Sequence, residues 1–300
     1  MIVCDTEAQL NDIIPQMLAS AVLFVDLEGR DLGCLGGALS VVSVGTDAGE
    51  VVLFDVLRLE RVTLEPLLSI LADETRPKFM WDGRKDSVEL KRTFYDVEFR
   101  GVVDLQLVDV LSRRGHSIHA LRQMPIKDVH GLVSLKNAGS EHRLQRHVLE
   151  RRYPVCASHA AWMARPLDID NIKYAIEDIK MLSRIYEHFM ASGCLKDMVA
   201  LLQMSARYLA LHDGPVDRDD IYRSSDLLPH EIIEPPPTGL ILHGCCKCSR
   251  NLSSRCFVVE RRNGLVRRLQ VCKVCNLLHA REELPVRKEE LKVRRPCQSF

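Results

Sequence analysis

The stretch Ala21-Val-Leu-Phe-Val-Asp-Leu-Glu28 restricts the fold of this chain more than any other. Its continuous apolar character predicts a strand buried on both faces, near the centre of a sheet. It nevertheless ends in two acids, Asp26 and Glu28. Residues two apart on a strand share a face, so two carboxylates stand together where unpaired charge is costly. Each raises the other's pKa unless a cation neutralises both.

Two further acids can join them. Asp86 opens a predicted helix after Trp81-Asp82-Gly83, and Asp178 follows Tyr174 by four residues on a long predicted helix. Taken singly, Asp86 reads as a first-turn acid and Asp178 as surface decoration beside Glu177. Taken together, four carboxylates can hold two divalent cations about 3.5–4 Å apart, a spacing that clamps the attacking and leaving oxygens of a phosphodiester displacement. Tyr174 shares a helix face with Asp178 and is placed to orient the attacking water.

The surrounding pattern predicts a helix over 7–19, strands near 21–28, 39–44 and 51–56 that pair as an antiparallel meander, and a helix over 64–73. A short strand at 78–81, a helix over 84–93 and a strand-then-helix unit from Val102 follow. This β-β-β-α-β-α-β-α order implies an α/β fold with a mixed sheet flanked by helices. Residues 116–165 are polar and rich in His (His116, His119, His130, His142, His147, His159), at spacings that fit no ligand pattern. A helix is expected at 141–152, where Arg143, Arg146, Arg151 and Arg152 are candidate phosphate contacts. Helices over 168–192 and 194–212 complete a domain spanning 1–212. Residues 213–239 are acidic, and Pro235-Pro236-Pro237 enforces an extended stretch, which predicts a linker.

Cys245-x2-Cys248 and Cys272-x2-Cys275 flank Asn263-Gly264, a hairpin signal set between apolar alternations. Two such knuckles joined by a hairpin predict a zinc ribbon over 240–283, with four thiolates on one structural Zn²⁺. So short a segment lacks a core without the metal. Cys246 is an alternative ligand to Cys245, and Cys256 reads as a bystander. Arg261, Arg262, Arg267 and Arg268 lie on the hairpin as candidate nucleic-acid contacts, and the same surface is equally open to a protein partner. A basic tail follows at 284–300.

The formal net charge of zero conceals an asymmetry: residues 240–300 carry 14 Lys and Arg against 5 Glu. An acidic body suits a cation site, and a basic C-terminal region suits a polyanion. The N-terminus lacks a signal pattern and no apolar run is of membrane-spanning length, so the expectation is an intracellular protein of nucleus or cytoplasm, in a reducing compartment with no membrane partner.

Three motifs, Phe24-Val-Asp-Leu-Glu-Gly29, Lys78-Phe-Met-Trp-Asp-Gly-Arg-Lys-Asp86 and Arg165-Pro-Leu-Asp-Ile-Asp-Asn-Ile-Lys-Tyr-Ala-Ile-Glu-Asp178, occur in a familiar order. Residues 21–192 thereby resemble the ribonuclease D-like, DEDDy-type 3′–5′ exonuclease domain, with Glu28-Gly29 and Gly36-Gly37 nearest the Egalitarian-like and fungal exonuclease-domain branch. The resemblance implies a ribonuclease H-like fold and two Mg²⁺ or Mn²⁺ ions. It implies that Asp26 bridges both ions, Glu28 and Asp178 complete one site, and Asp86 holds the second through water. Tyr174 would position the water that attacks the 3′-terminal linkage of a single strand, RNA being favoured over DNA. Trp81 stands where relatives often carry His. Some members of this branch act instead as catalytically silent RNA-binding or adaptor platforms, which is the alternative reading.

Overall fold

A computed structural model describes residues 2–113, 129–144, 159–212, 214–263 and 265–280. They fall into two units: one drawn from 1–116 and 133–218, the other from 117–132 and 219–300. No described helix is long and apolar enough to cross a membrane.

The first unit is built on a six-stranded sheet. Its elements are β1 (Ile2–Cys4), α1 (Glu7–Ala19), β2 (Leu23–Arg30), β3 (Ala38–Thr46), β4 (Val51–Asp55), α2 (Arg61–Ala72), β5 (Lys78–Met80), α3 (Arg84–Thr93), β6 (Val102–Asp104) and α4 (Leu105–Ser112). The second unit claims β7 (Val129–Gly131). Then α5 (Leu135–Glu141), a 3₁₀ turn (His159–Met163), α6 (Ile169–Ala191) and α7 (Met198–Leu209) complete the first. Strand order is β1-β4-β3-β2-β5-β6. The β2-β3-β4 meander is antiparallel as expected, while β1 adds parallel to β4, and β5 and β6 continue parallel from β2. This is the mixed α/β arrangement that the pattern implied, with β1 as a strand too short to announce itself.

Local chemistry explains the elements. Thr6 caps α1 through a reciprocal box with Gln9, and Leu10, Ile13 and Met17 form its buried stripe. In β2, Leu23, Phe24, Val25 and Leu27 are all buried, as a central strand requires. The ladder slips between Glu28 and Gly29, and a Cβ at Gly29 would lie 2.1 Å from the Ala38 carbonyl oxygen, so this bulge needs glycine. At Gly45 a Cβ would meet Ile179 at 2.5 Å; the missing side chain lets α6 lie close on β3. The buried Lys78 ammonium donates to the Ile70, Asp73 and Arg76 carbonyls at 3.2, 2.6 and 2.8 Å and thereby caps the end of α2.

The second unit pairs β7 with β8 (Leu227–Pro229), followed by α8 (His230–Ile233), the β9–β10 pair (Leu242–Gly244, Asn251–Ser253), a 3₁₀ turn and the hairpin β11–β12 (Phe257–Arg262, Leu265–Cys272). Residues 273–280 are helical. Val129, Leu227, Leu252, Phe257, Val274 and Leu278 form a small core together with the cysteines.

Two expectations are corrected here. Residues 213–239 are not a linker throughout: Leu227, Leu228 and Ile232 are buried, because β8 finds its partner in Val129–Gly131 some hundred residues earlier. The proline stretch and the residues after it are largely exposed, as are residues 217–219. The helix expected at 141–152 is replaced, over its described part, by α5, which ends at Glu141 with Arg143 at positive φ. His116, His119, Arg146, His147, Arg151, Arg152 and the tail 284–300 lie outside the described residues.

Candidate active site and four-cysteine cluster

The sheet and α6 bring the first acids together. Asp26 and Glu28 project from β2 and Asp178 from α6, and each offers a carboxylate oxygen within 4.8 Å of the other two. The Tyr174 hydroxyl, one turn before Asp178, donates to it. Asp86 lies in the first turn of α3, buried, and outside that 4.8 Å group. It is still near enough for its charge to act on Asp26.

Burial and mutual repulsion dominate the electrostatics of these acids. Burial, then the charges of Asp86 and Asp178, push the Asp26 carboxyl well above the carboxylate range. Burial, then Asp82, pushes Asp86 up to about 8. Burial and the adjacent carboxylates push the Tyr174 phenol far up, so it stays protonated and can only donate or accept hydrogen bonds. An all-oxygen donor set of this density fits hard divalent cations such as Mg²⁺ or Mn²⁺.

The third motif is tied to the sheet by its lead-in arginine. Arg165 makes a two-pronged pair with Asp55 at the end of β4 (2.5 and 2.7 Å). It also donates to the Trp162 and Ala164 carbonyls at 2.8 Å each and to Ser40 Oγ at 2.9 Å. Ser40 Oγ in turn donates to the Trp162 carbonyl at 2.5 Å. Trp162, 2% exposed, stands edge-on to Tyr174 with ring centroids 6.4 Å apart. The indole is thus a packing wall of the cleft.

The second motif is held by a largely buried polar network whose members lie far apart in the chain. Asp82 sits in the left-handed region at φ 54°. Its carboxylate takes two hydrogen bonds from Arg84 (2.6 and 2.9 Å) and one from the Tyr208 hydroxyl (2.9 Å), which also lies 2.7 Å from Gln106 Oε1. The Arg84 guanidinium lies 4.8 Å over the Tyr208 ring. Asp104 caps α4 and accepts the backbone N–H groups of Asp82 and Gly83 at 3.2 and 2.9 Å; burial pushes its carboxyl up to about 7. These contacts fix the turn that launches α3 and so aim Asp86. Trp81 donates its indole N–H to the Val133 carbonyl at 3.1 Å.

In the second unit, Cys245, Cys248, Cys272 and Cys275 are buried, with their sulfurs within 4.8 Å of one another. The Cys248 and Cys272 sulfurs are 4.0 Å apart, near the ~3.8 Å edge of a tetrahedron with Zn–S bonds of about 2.3 Å. The Cys272 N–H points at the Cys245 sulfur (3.3 Å) and the Cys275 N–H at the Cys272 sulfur (3.5 Å), contacts that favour thiolates. The set therefore fits a tetrahedral zinc ion. Cys246 is exposed, and Cys256 is hydrogen-bonded to Glu231 with its thiol pushed up to about 12, chiefly by burial.

Arg261, Arg267 and Arg268 are exposed on the hairpin but do not form one patch. The register pairs Arg268 with Val259, Arg267 with Glu260 and Arg261 with Val266, which puts Arg261 and Arg268 on one face and Arg267 on the other. Position 262 pairs with Leu265.

A mixed sheet whose central strand carries two acids, faced by a helix carrying a third acid and a tyrosine, is the framework of a nuclease domain. The family model described as 3′–5′ exonuclease matches residues 1–192, and the chain belongs to that family. Among solved structures, Trypanosoma brucei RNase D in complex with the RNA U12 aligns with TM-score 0.56 at 22% identity, over 72% of each chain. A second structure of Trypanosoma brucei RNase D aligns at 0.54 and 20% identity, over 84% of this chain and 82% of its own. The Aedes aegypti Nibbler EXO domain aligns at 0.51 and 17% identity, over 67% and 94%. A search of the curated proteins returns no match. At these identities the structural likeness establishes the ribonuclease H-like exonuclease fold.

Proposed function

We propose that this chain is a metal-dependent 3′–5′ exonuclease acting on single-stranded RNA in preference to DNA. The observation that carries the reading is the convergence of Asp26, Glu28 and Asp178 within 4.8 Å, beside a tyrosine that donates to Asp178. The fold's likeness to RNase D solved with RNA favours RNA as the polymer.

In this reading Asp26, Glu28, Asp178 and Asp86 would hold two Mg²⁺ or Mn²⁺ ions. When bound, the ions supply a metal-activated nucleophile and neutralise charge on the displaced oxygen. Tyr174 keeps its proton, so it acts as a fixed hydrogen-bond partner that orients the attacking water rather than as a base. Hydrolysis of the last linkage releases a nucleoside 5′-monophosphate. The second unit, with Zn²⁺ on Cys245, Cys248, Cys272 and Cys275, would offer Arg261 and Arg268 on one face of its hairpin, and Arg267 on the other, to nucleic acid.

The test is digestion of sequence-matched single-stranded RNA and DNA with free 3′ ends, in Mg²⁺ or Mn²⁺, alongside the Asp26→Ala/Glu28→Ala protein. Stepwise shortening from the 3′ end, faster on RNA and absent from the variant, supports the reading. Retained RNA binding with no shortening in either metal replaces it with a silent RNA-binding platform.

A further inference from the structure

A strap after α7 runs along the edge of the carboxylate cleft. Residues 214–218 belong to the first unit and run back beside the loop that follows β2. Val216 bridges Cys34 in parallel; the Val216 carbonyl accepts the Leu35 N–H at 2.9 Å, and the Val216 N–H donates to the Gly33 carbonyl at 3.0 Å. The Val216 side chain is 2% exposed, so the strap is anchored as well as paired. The loop is itself held: the Gly33 N–H donates to Glu89 Oε2 at 3.0 Å, and Glu89 is fully buried on α3.

This double anchoring delivers Arg218 to a cleft of about 220 Å³ that Glu28 and Tyr174 also line. His159 and Lys85 line the same cleft. Both Arg218 and His159 approach Asp31, each at 3.5 Å, and both remain mostly exposed. One long contact to Asp31 occupies little of a guanidinium that carries five donors. The cleft thus has carboxylates at its floor and cations at its rim, which is the charge order a polyanion needs if only its scissile end is to meet the metals.

We infer that Arg218, supported by His159 and Lys85, binds backbone phosphates of the substrate strand upstream of the scissile 3′-terminal linkage, so the strap is a built-in substrate-positioning element. The inference rests on the proposed exonuclease reading and deepens it. Phosphate contact from the rim predicts weaker binding on substitution with little change in the chemical step.

The experiment compares the full-length protein with Arg218→Ala, Arg218→Lys and Asp31→Asn, with Arg58→Ala, whose surface pair lies away from the cleft, as control. Binding of a fluorescent single-stranded RNA is followed across salt concentrations in Ca²⁺, and digestion kinetics in Mg²⁺. For Arg218→Ala we expect at least a fivefold rise in Kd and KM, kcat within about twofold, and a log–log salt slope shallower by ~0.7, the loss of one single-strand phosphate contact. Arg218→Lys should recover most of the binding, and Asp31→Asn should bind as tightly as the parent or tighter. Unchanged Kd and slope in Arg218→Ala, or equal weakening by Asp31→Asn, overturns the inference; the second result would show that only the ion pair's structural role counted. Because binding is read without turnover, RNA bound through Arg218 but never shortened would sink the exonuclease reading and leave the phosphate contact standing.

Discussion

The two units use acids and thiols in opposite ways. In the first, the fold exists to hold the carboxylates: a six-stranded sheet, a large aliphatic core and the Arg165–Asp55 pair fix their positions. In the second, the four cysteines are themselves a large share of the core. On the proposed reading, metal would bear on function in the first unit and on folding in the second, and the contrast can be broken or sharpened experiment by experiment.

The largest effect is expected from Cys272→Ser/Cys275→Ser. Structural zinc supplies on the order of 10–16 kcal/mol of binding free energy, so the second unit should lose its protease resistance and its bound zinc. The first unit should keep its own unfolding transition. Retention of a protected fragment covering 219–280 in the variant would show that this core closes without metal. The reciprocal experiment is Asp26→Ala/Glu28→Ala, which should lower digestion at least about a thousandfold while leaving thermal stability equal or higher, because two mutually repelling acids are gone.

Arg165→Ala should be the most destabilising single change in the first unit. It strands a buried Asp55 carboxylate, and breaking such pairs costs about 3–5 kcal/mol. Denaturant unfolding of the first unit would register this, and a loss below 1 kcal/mol would mean that the clamp is ornamental. Tyr174→Phe removes only the hydroxyl, so stability should hold while kcat falls about a hundredfold through misplaced water. An unchanged kcat would remove Tyr174 from the mechanism.

The smallest effect concerns pH. Without metal, the Asp86 carboxyl is raised to about 8, above its unfolded value. A raised carboxyl favours the folded state at low pH, and that contribution is lost as pH climbs through its folded pKa. The metal-free first unit should therefore lose stability as pH rises from about 4, the unfolded carboxyl value, to about 8. Mg²⁺ or Mn²⁺ should bind more tightly over the rise toward pH 8, releasing protons, and should restore stability. Thermal unfolding with and without Mn²⁺ checks the sign; a metal-free protein that gains stability with pH would contradict it.

Much of the site was legible because its parts are locally patterned. The apolar run ending in Asp26-x-Glu28, the four-residue step from Tyr174 to Asp178 and the paired Cys-x2-Cys knuckles each carry a periodicity. What stayed hidden depends on long-range partners. Asp82 meets Tyr208 from 126 residues away, and Asp104 meets Ser205 from 101. Neither encounter leaves a trace in local spacing. Composition misdirected the reading at 213–239, where acids and prolines obscured Leu227-Leu228-Pro229, a strand whose burial comes from Val129–Gly131. Arg165 drew notice as the lead-in to the third motif, but its role as a clamp on Asp55 and Ser40 needed coordinates.

The contrast between the units rests on the acids of the first being a cation site. Counting Mn²⁺ bound to the zinc-loaded protein by electron paramagnetic resonance, against the Asp26→Ala/Glu28→Ala protein, tests that most directly. Two ions bound by the parent and lost from the variant is the predicted result. Equal numbers bound by both would mean that these carboxylates converge for some other reason.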